Sequence, residues 1–240
     1  MRTLAVVPAR GGSKGVLRKN LREVGGKPLI AHTIVTGLAA RSIDRLVVST
    51  EDDEIAEVAR SYGADVPFER PEALATDIAS QLDVVIHALG VVEEVEAVPY
   101  DCVVLLQPTA PLRTSEDIDH CIAKLESEKA DSVISFYRVE HGHPHYMYTL
   151  EGGCPVPLLK GAVSSRRQDF PAVYIRNGAI YAVRRDVLVN DRSFYGKEIR
   201  PYIMPYVRSV NIDTETDLSI ADLFFRQRGI RDDPTPQRGA

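Results

Sequence analysis

The residues best suited to chemistry lie in one glycine-rich, basic stretch that follows the apolar run 4–7. Residues 1–22 hold six Lys or Arg and no carboxylate, although the chain carries a net charge of -5. Glycines let the backbone approach a ligand closely, and backbone N–H groups combined with fixed cations hold phosphate groups. The stretch therefore predicts a polyphosphate-binding loop, with these candidate residues: Ala9, Arg10, Gly11, Gly12, Ser13, Lys14, Lys19 and Asn20.

Two common phosphate-binding motifs do not match this loop. A Walker A loop needs G-x-x-x-x-G-K-[ST], and no such spacing surrounds Lys14. The dinucleotide fingerprint G-x-G-x-x-G would need a glycine at Arg10, ahead of Gly12 and Gly15. A basic surface turn is the alternative interpretation, but the lack of acids and the position after an N-terminal strand favour phosphate binding.

The elements around the loop alternate between strand and helix. Apolar runs at 4–7, 45–50 and 101–106 predict buried strands, and amphipathic stretches at 28–38 and 80–95 predict helices. This order predicts parallel strands with right-handed crossovers, that is, an α/β fold. A further strand is predicted over 131–139 and a last one over 208–213, before a helix capped by Thr214 and Asp217.

A second loop, 107–113, follows the apolar run 101–106 directly. Ligands in open α/β sheets bind beyond the carboxyl ends of strands, and both this loop and the glycine-rich loop leave such ends. Its prolines make it stiff, while Gln107 and Thr109 offer directional hydrogen bonds. The alternative interpretation is that this loop binds no ligand and is only a rigid connection to the next helix, which starts at Thr114.

Composition restricts the class of protein. The 240 residues are 44% hydrophobic and 26% charged, as expected of a globular chain that does not span a membrane. The mild negative charge and the lack of a basic stripe beyond the first loop argue against nucleic-acid binding. Without a signal-peptide pattern, a cytoplasmic location is the default prediction. Residues 1–228 are expected to form a single domain, and 229–240 a disordered tail.

Four ordered blocks resemble a known family: R-G-G-S-K-G with R-K-N in the first loop, then 106–113, 177–181 and 213–218. They are similar to the cytidylyltransferases that activate nonulosonic acids, the CMP-sialic acid synthetases and their relatives. The resemblance covers nearly the whole chain and ends near residue 226. It implies a Rossmann-like, three-layer fold with a mostly parallel sheet, of the nucleotide-diphospho-sugar transferase type.

The resemblance also implies roles for individual residues. Arg70, Pro108 and Thr109 would contact the nucleotide, whereas Gln107 would face the sugar acid. Tyr181, Phe194 and Tyr195 would line the sugar pocket. The excursion 140–172 would form a homodimer interface, and either Arg166 or Arg167 would reach the partner's site.

The implied reaction joins CTP and a nine-carbon sugar acid into a CMP-sugar with release of pyrophosphate. Mg²⁺ is the expected cation, held by Asp213 with Asn211 beside it, while Arg10 and Lys19 would stabilise phosphate charge. The chain departs from the family twice: Leu17 stands where proline is usual, and Asn211 stands where many members carry an aspartate.

Three alternatives stay open at this point. The sugar acid could be a shorter one such as Kdo, or the chain could bind nucleotide without catalysing transfer, as the loss of a carboxylate at Asn211 allows. The alternating histidines His141, His143 and His145 could hold zinc, but Gly142 and Pro144 interrupt a strand there and favour a polar loop.

Overall fold

The computed structural model describes residues 1–159 and 170–227. In these ranges the strands are β1 (Thr3–Pro8), β2 (Glu23–Val24), β3 (Lys27–Pro28), β4 (Arg45–Ser49), β5 (Cys102–Leu105), β6 (Ser132–Arg138), β7 (Tyr148–Glu151), β8 (Cys154–Pro157), β9 (Tyr174–Arg184) and β10 (Ile199–Ile203). The α-helices described there are α1 (Leu29–Ala39), α2 (Asp53–Ser61), α3 (Gln81–Glu96), α4 (Ser115–Ser127), α5 (Arg185–Val189) and α6 (Glu215–Gln227).

A central sheet has the order β10-β6-β9-β5-β1-β4. Strand β1 pairs in parallel with β4 and β5, so that Val6 lies between Val47 and Leu105, and β6 pairs in parallel with β10. Strand β9 is antiparallel to both β5 and β6. The sheet is therefore mostly parallel, and the predicted α/β fold is confirmed.

Helices cover both faces of this sheet, because side chains along each strand alternate between the faces. Ala5 and Val7 join a buried cluster with residues of α1, α2 and α4. Leu4 and Val6 join a second cluster with residues of α3 and α5. Each central strand is thus apolar on both sides, which explains its unbroken hydrophobic run and confirms the three-layer architecture.

Two helix starts follow their sequence signals. At α4, the Thr114 hydroxyl accepts from the Asp117 amide at 3.2 Å, and the Asp117 carboxylate accepts from the Thr114 amide at 2.8 Å. At α6, Thr214 and Asp217 exchange the same two bonds. These reciprocal bonds satisfy amides that the first helical turn leaves without partners.

Some sequence-based expectations were wrong. Residues 208–213 form no strand: a 3₁₀ turn, Tyr206–Arg208, leads into irregular backbone, and the edge strand is β10 instead. The Ile212 amide bonds to the Thr109 carbonyl at 2.8 Å, so this amide takes part in a contact between loops and not in strand pairing. The end of the predicted helix 28–38 is not buried, since Leu38 is exposed.

The excursion beyond β6 contains the antiparallel hairpin β7–β8, joined through Gly152 and Gly153, which both have positive φ. All four residues of β7 are exposed. None of the helices in the two described ranges has the length and hydrophobicity that crossing a membrane requires. The expected tail, 229–240, lies outside the described residues.

Candidate active site

The glycine-rich loop leaves the carboxyl end of β1 and ends in a 3₁₀ turn, Lys19–Leu21. Buried Ala9 anchors its start by donating its amide to the Ser49 carbonyl at 3.0 Å. Asn20 is also buried and donates its amide group to the Arg10 carbonyl at 3.0 Å. Asn20, predicted as a phosphate-binding residue, therefore supports the backbone of the loop at Arg10 in this structure.

The upper part of the loop faces solvent. Gly12 and Lys14 are exposed and Ser13 is half-buried, while the Gly11 amide donates to the Glu51 carboxylate at 2.7 Å. A side chain at Gly15 would collide with the Asp213 carbonyl oxygen. The absence of a Cβ at Gly15 therefore lets the loop lie directly against the 211–213 segment.

The loop carries four cations, Arg10, Lys14, Arg18 and Lys19, and each of them pairs with a carboxylate. Arg10 and Lys14 both pair with Asp77, at 2.8 Å and 2.5 Å, and these two cations hold the pKa of Asp77 below its usual range. Arg18 turns away and pairs with Asp52 and Glu54. The Asp77 carboxylate thus pairs with two of the cations predicted to hold phosphate, and a bound phosphate group would compete with it for both.

Lys19 lies deepest of the four. Its side chain is only 15% exposed, and its ammonium donates to the Ile212 carbonyl at 2.8 Å and to the Asp213 carboxylate at 3.0 Å. The other Asp213 oxygen accepts from the Asn211 side-chain amide at 2.9 Å. Asp213 itself is 67% exposed, so a row of ammonium, carboxylate and carboxamide opens toward solvent.

Arg113 supports the second loop from below. It is 1% exposed and donates to the Thr33 hydroxyl at 2.8 Å and to the Gln107 carbonyl. Burial lowers the pKa of Arg113 to about 9. Arg113 was not among the residues predicted for the site, although it ends the 106–113 motif. Its charge next to prolines and a leucine was the feature of the sequence that could have identified it.

The second loop meets the 211–213 segment through the backbone of Thr109, whose carbonyl accepts from the Ile212 amide at 2.8 Å. Pro108 is buried and Thr109 half-buried. The Gln107 side chain donates to the Gln81 side chain at 2.6 Å and lies over Gly178. The structure thus brings the residues predicted at 9–19, 107–109 and 211–213 to one edge of the sheet.

Gly178 forms the floor of this region. It has φ +73, and a Cβ built there would collide with Gln107 Oε1 and would lie 3.7 Å from Asn211 Oδ1. Asn177, beside it, is buried and accepts from the Ser135 hydroxyl at 2.6 Å. The Asn-Gly pair lies within β9, where the pairing with β6 is irregular.

Arg70, which the resemblance assigns to the nucleotide, is buried in this structure. It is 4% exposed, and its guanidinium donates to the Ser49 hydroxyl at 3.1 Å and to the Ser49 carbonyl. Burial lowers its pKa to about 10. In this conformation Arg70 ties the loop that carries Asp77 to the end of β4.

An aromatic group lines the side of the region nearest β9. The rings of Tyr181 and Phe194 lie 5.9 Å apart, and burial raises the pKa of Tyr181. Phe194 is 9% exposed, whereas Tyr195 is 39% exposed and receives a hydrogen bond from Arg176 on its hydroxyl. Arg176 is a polar residue here that the sequence analysis did not single out; it immediately precedes the Asn-Gly pair.

The remaining predicted residues belong to the 140–172 excursion. Arg166 and Arg167 lie outside the described residues. His143 and His145 stack on Phe170, with ring centroids 4.9 Å and 4.5 Å from it. Within 1–159 and 170–227, no three His, Cys, Asp or Glu side chains are grouped as a zinc site with three such ligands would need.

The chain matches the sequence model of one protein family over residues 4–221, and that family is described as cytidylyltransferase. It is 36% identical to a CMP-N,N'-diacetyllegionaminic acid synthase from Legionella pneumophila, over 92% of this chain and 95% of that one. It is 30% identical to a pseudaminic acid cytidylyltransferase from Campylobacter jejuni, over 94% and 97% of the two chains. An N-acylneuraminate cytidylyltransferase from Streptococcus agalactiae is 33% identical, over 94% of this chain and 54% of that one.

The fold is also found among solved structures. A CMP:2-keto-3-deoxy-manno-octonic acid synthetase complexed with CTP superposes with a TM-score of 0.70 at 19% identity, covering 95% of this chain and 100% of that chain. At this identity the likeness concerns the fold alone. The family match and the full-length relatives decide the classification: the chain belongs to the cytidylyltransferase family and is a nucleotidyltransferase.

Proposed function

We propose that this protein transfers CMP from CTP to the anomeric hydroxyl of a nonulosonic acid, a nine-carbon 2-keto sugar acid, with release of pyrophosphate. Family membership supports the cytidylyl transfer. The names of the full-length relatives, which concern legionaminic and pseudaminic acids, support this class of acceptor.

The observation that carries the proposal is the row of Lys19, Asp213 and Asn211 between the two loops. Phosphoryl transfer needs charge neutralisation and alignment more than covalent chemistry from the protein. Lys19 would stabilise charge on the α-phosphate, and its bond to the Ile212 carbonyl supports this orientation.

The exposed part of the glycine-rich loop would hold the departing pyrophosphate. Phosphate oxygens would replace the Asp77 carboxylate as partners of Arg10 and Lys14, while Ser13 and the backbone amides of Gly11 and Gly12 would add donors. We assign the cytidine to the 108–109 segment, because it lies beside the same row through the bond between Thr109 and Ile212.

Mg²⁺ fits the residues present, and we propose that Asp213 and Asn211 hold it. Both supply oxygen donors, which Mg²⁺ prefers, and one or two protein ligands suffice when phosphate oxygens complete the shell. Asp213 is largely exposed, and Asn211 Oδ1 faces the space above Gly178. When bound, the ion would neutralise triphosphate charge. Asn211 cannot accept the proton of the sugar hydroxyl, so we assign that proton to solvent.

The sugar acid would lie over Gly178, between Gln107 and the aromatic group of Tyr181, Phe194 and Tyr195. Gln107 can donate to or accept from a sugar hydroxyl, and the rings offer apolar surface to an acylated sugar. A contribution from the partner's Arg166 or Arg167 stays a prediction.

We further propose a homodimer that assembles through the 140–172 excursion. Exposed Tyr148 and Leu150 on the β7–β8 hairpin and Tyr146 just before it support this, since a concentration of exposed apolar side chains is typical of protein interfaces. We also propose a cytoplasmic location, where CTP is available as a substrate. Light scattering that shows an active monomer would contradict the dimer.

The test of the proposed function is pyrophosphate release with CTP, Mg²⁺ and a panel of nine-carbon and eight-carbon sugar acids. We expect turnover with a nine-carbon acid and with no other nucleoside triphosphate. The Lys19→Ala variant should lose about 10²–10³-fold in kcat, the usual effect of removing one aligned electrostatic contact.

Lys27→Ala, which removes an exposed lysine outside the proposed site, is the matched control and should keep wild-type kinetics. Turnover with only the eight-carbon acid would instead support a Kdo-type substrate. Binding of CTP without turnover of any acid would support a nucleotide-binding protein and refute the proposal.

A further inference from the structure

Arg176 differs from the other cations around the proposed site because it is exposed and yet has no carboxylate partner among the described residues. Arg10 and Lys14 pair with Asp77, and Lys19 pairs with Asp213. Arg70 and Arg113 are buried beneath the loops, where they bond to backbone carbonyls. Within residues 1–159 and 170–227, no carboxylate lies within ion-pair distance of Arg176.

Arg176 lies on β9, two residues before Gly178, and pairs with Phe136 of β6. Gly178 is the position over which Gln107 lies and toward which Asn211 Oδ1 points. The charge of Arg176 also acts on Tyr181, where it opposes the rise in the pKa of the phenol that burial causes. The guanidinium therefore lies at the same end of the sheet as the residues proposed to contact the sugar.

Tyr195 holds Arg176 in place. The Tyr195 hydroxyl accepts a hydrogen bond from the guanidinium, whose carbon lies 5.1 Å from the centre of the same ring. A guanidinium has five N–H donors in a planar fork, and this contact occupies one of them. The remaining donors match the geometry of a carboxylate that binds through both oxygens.

We propose that Arg176 binds the carboxylate of the sugar acid and thereby makes the site selective for acids over neutral sugars. This inference rests on the proposed function. In a 2-keto sugar acid the carboxylate is attached to the anomeric carbon, so it approaches the triphosphate whenever the anomeric hydroxyl attacks. A cation that no carboxylate of the described residues neutralises offsets this repulsion and fixes the orientation of the anomeric carbon.

The experiment measures steady-state pyrophosphate release by wild type, Arg176→Gln, Arg176→Lys and the matched control Arg184→Gln, with the sugar acid and with its methyl ester. Arg184 lies at the other end of β9 and pairs with Asp186. We expect Arg176→Gln to raise the KM for the acid about 10- to 100-fold, the effect of losing a charge-assisted hydrogen bond, with no change in the KM for CTP. Arg176→Lys should recover part of this loss, and Arg184→Gln should match wild type.

The ester separates carboxylate recognition from a purely structural role. Wild type should prefer the acid to the ester in kcat/KM, and Arg176→Gln should lose that preference. If wild type turns over the acid and Arg176→Gln keeps both its KM and its preference, the inference is wrong while the proposed function stands. If wild type turns over no sugar acid, the proposed function fails, and this inference fails with it. Circular-dichroism melting of each variant shows whether it is folded.

Discussion

Replacing Gly178 by alanine perturbs the floor of the proposed sugar site in two separable ways. The residue has φ +73, a conformation that costs an L-residue about 1–2 kcal/mol. At about 2–4 °C per kcal/mol for a chain of this size, the melting temperature should fall by about 2–8 °C. The new Cβ would also collide with Gln107 Oε1, so the Gln107 side chain must move away and give up its 2.6 Å bond to Gln81.

Displacing Gln107 should weaken the binding of the sugar acid and leave CTP binding intact. The loss of one neutral hydrogen bond, about 0.5–1.5 kcal/mol, corresponds to a rise of about 2- to 10-fold in the KM for the acid. Steady-state kinetics with each substrate varied in turn gives both KM values, and calorimetry gives the melting temperature.

Gly26→Ala is the matched control. Gly26 has a similar φ of +77, but a Cβ there would meet no atom within 4 Å. It lies in the turn between β2 and β3, outside the proposed site and the 140–172 excursion. This variant should therefore show a loss of stability from the backbone and unchanged kinetics. If Gly178→Ala lowers the melting temperature and leaves the KM for the acid unchanged, Gln107 does not contact the sugar from its place over Gly178, and the assigned sugar site is wrong.

Two further predictions concern titrating groups. The Asn211 side-chain amide lies 2.9 Å from the Asp213 carboxylate, so Asn211→Asp places two carboxylates against each other. We therefore expect lower stability without Mg²⁺ and a larger Mg²⁺-induced rise in melting temperature than in wild type. An equal Mg²⁺ response in both proteins would argue against metal binding by this pair. Burial lowers the pKa of His87, whose Nδ1 is buried without a partner among the described residues. The unfolded chain then binds the proton first, so wild type should lose stability as the pH falls below about 6.5. His87→Asn should lose less stability over the same range, and identical slopes of stability against pH in denaturant titrations would refute this.

Much of the architecture could be predicted because its signals are local. The apolar run of β1 and the strand–helix alternation depend on periodicity, and the starts of α4 and α6 depend on Thr114 and Thr214 bonding residues three positions away. The glycine-rich loop is equally visible, since its glycines and cations are contiguous in the chain. These features require no knowledge of distant contacts.

The last segment shows where local signals fail. Apolar residues alternate with polar ones over 208–213, which is typical of a strand. However, the Ile212 amide bonds to Thr109 and its carbonyl bonds to Lys19, so no ladder forms. The sheet edge is taken by β10, a strand with no distinctive sequence pattern.

What the sequence by itself determined is the set of groups able to bind phosphate and the class of fold that presents them at strand ends. Only the tertiary structure decided their partners: Asp213 bonds to Lys19 from 194 positions away, Asp77 occupies Arg10 and Lys14, and Arg70 and Arg113 lie buried under the loops. Periodicity acts over a few residues, whereas a charged side chain takes its place according to which opposite charge and which buried carbonyl the packed sheet brings within reach.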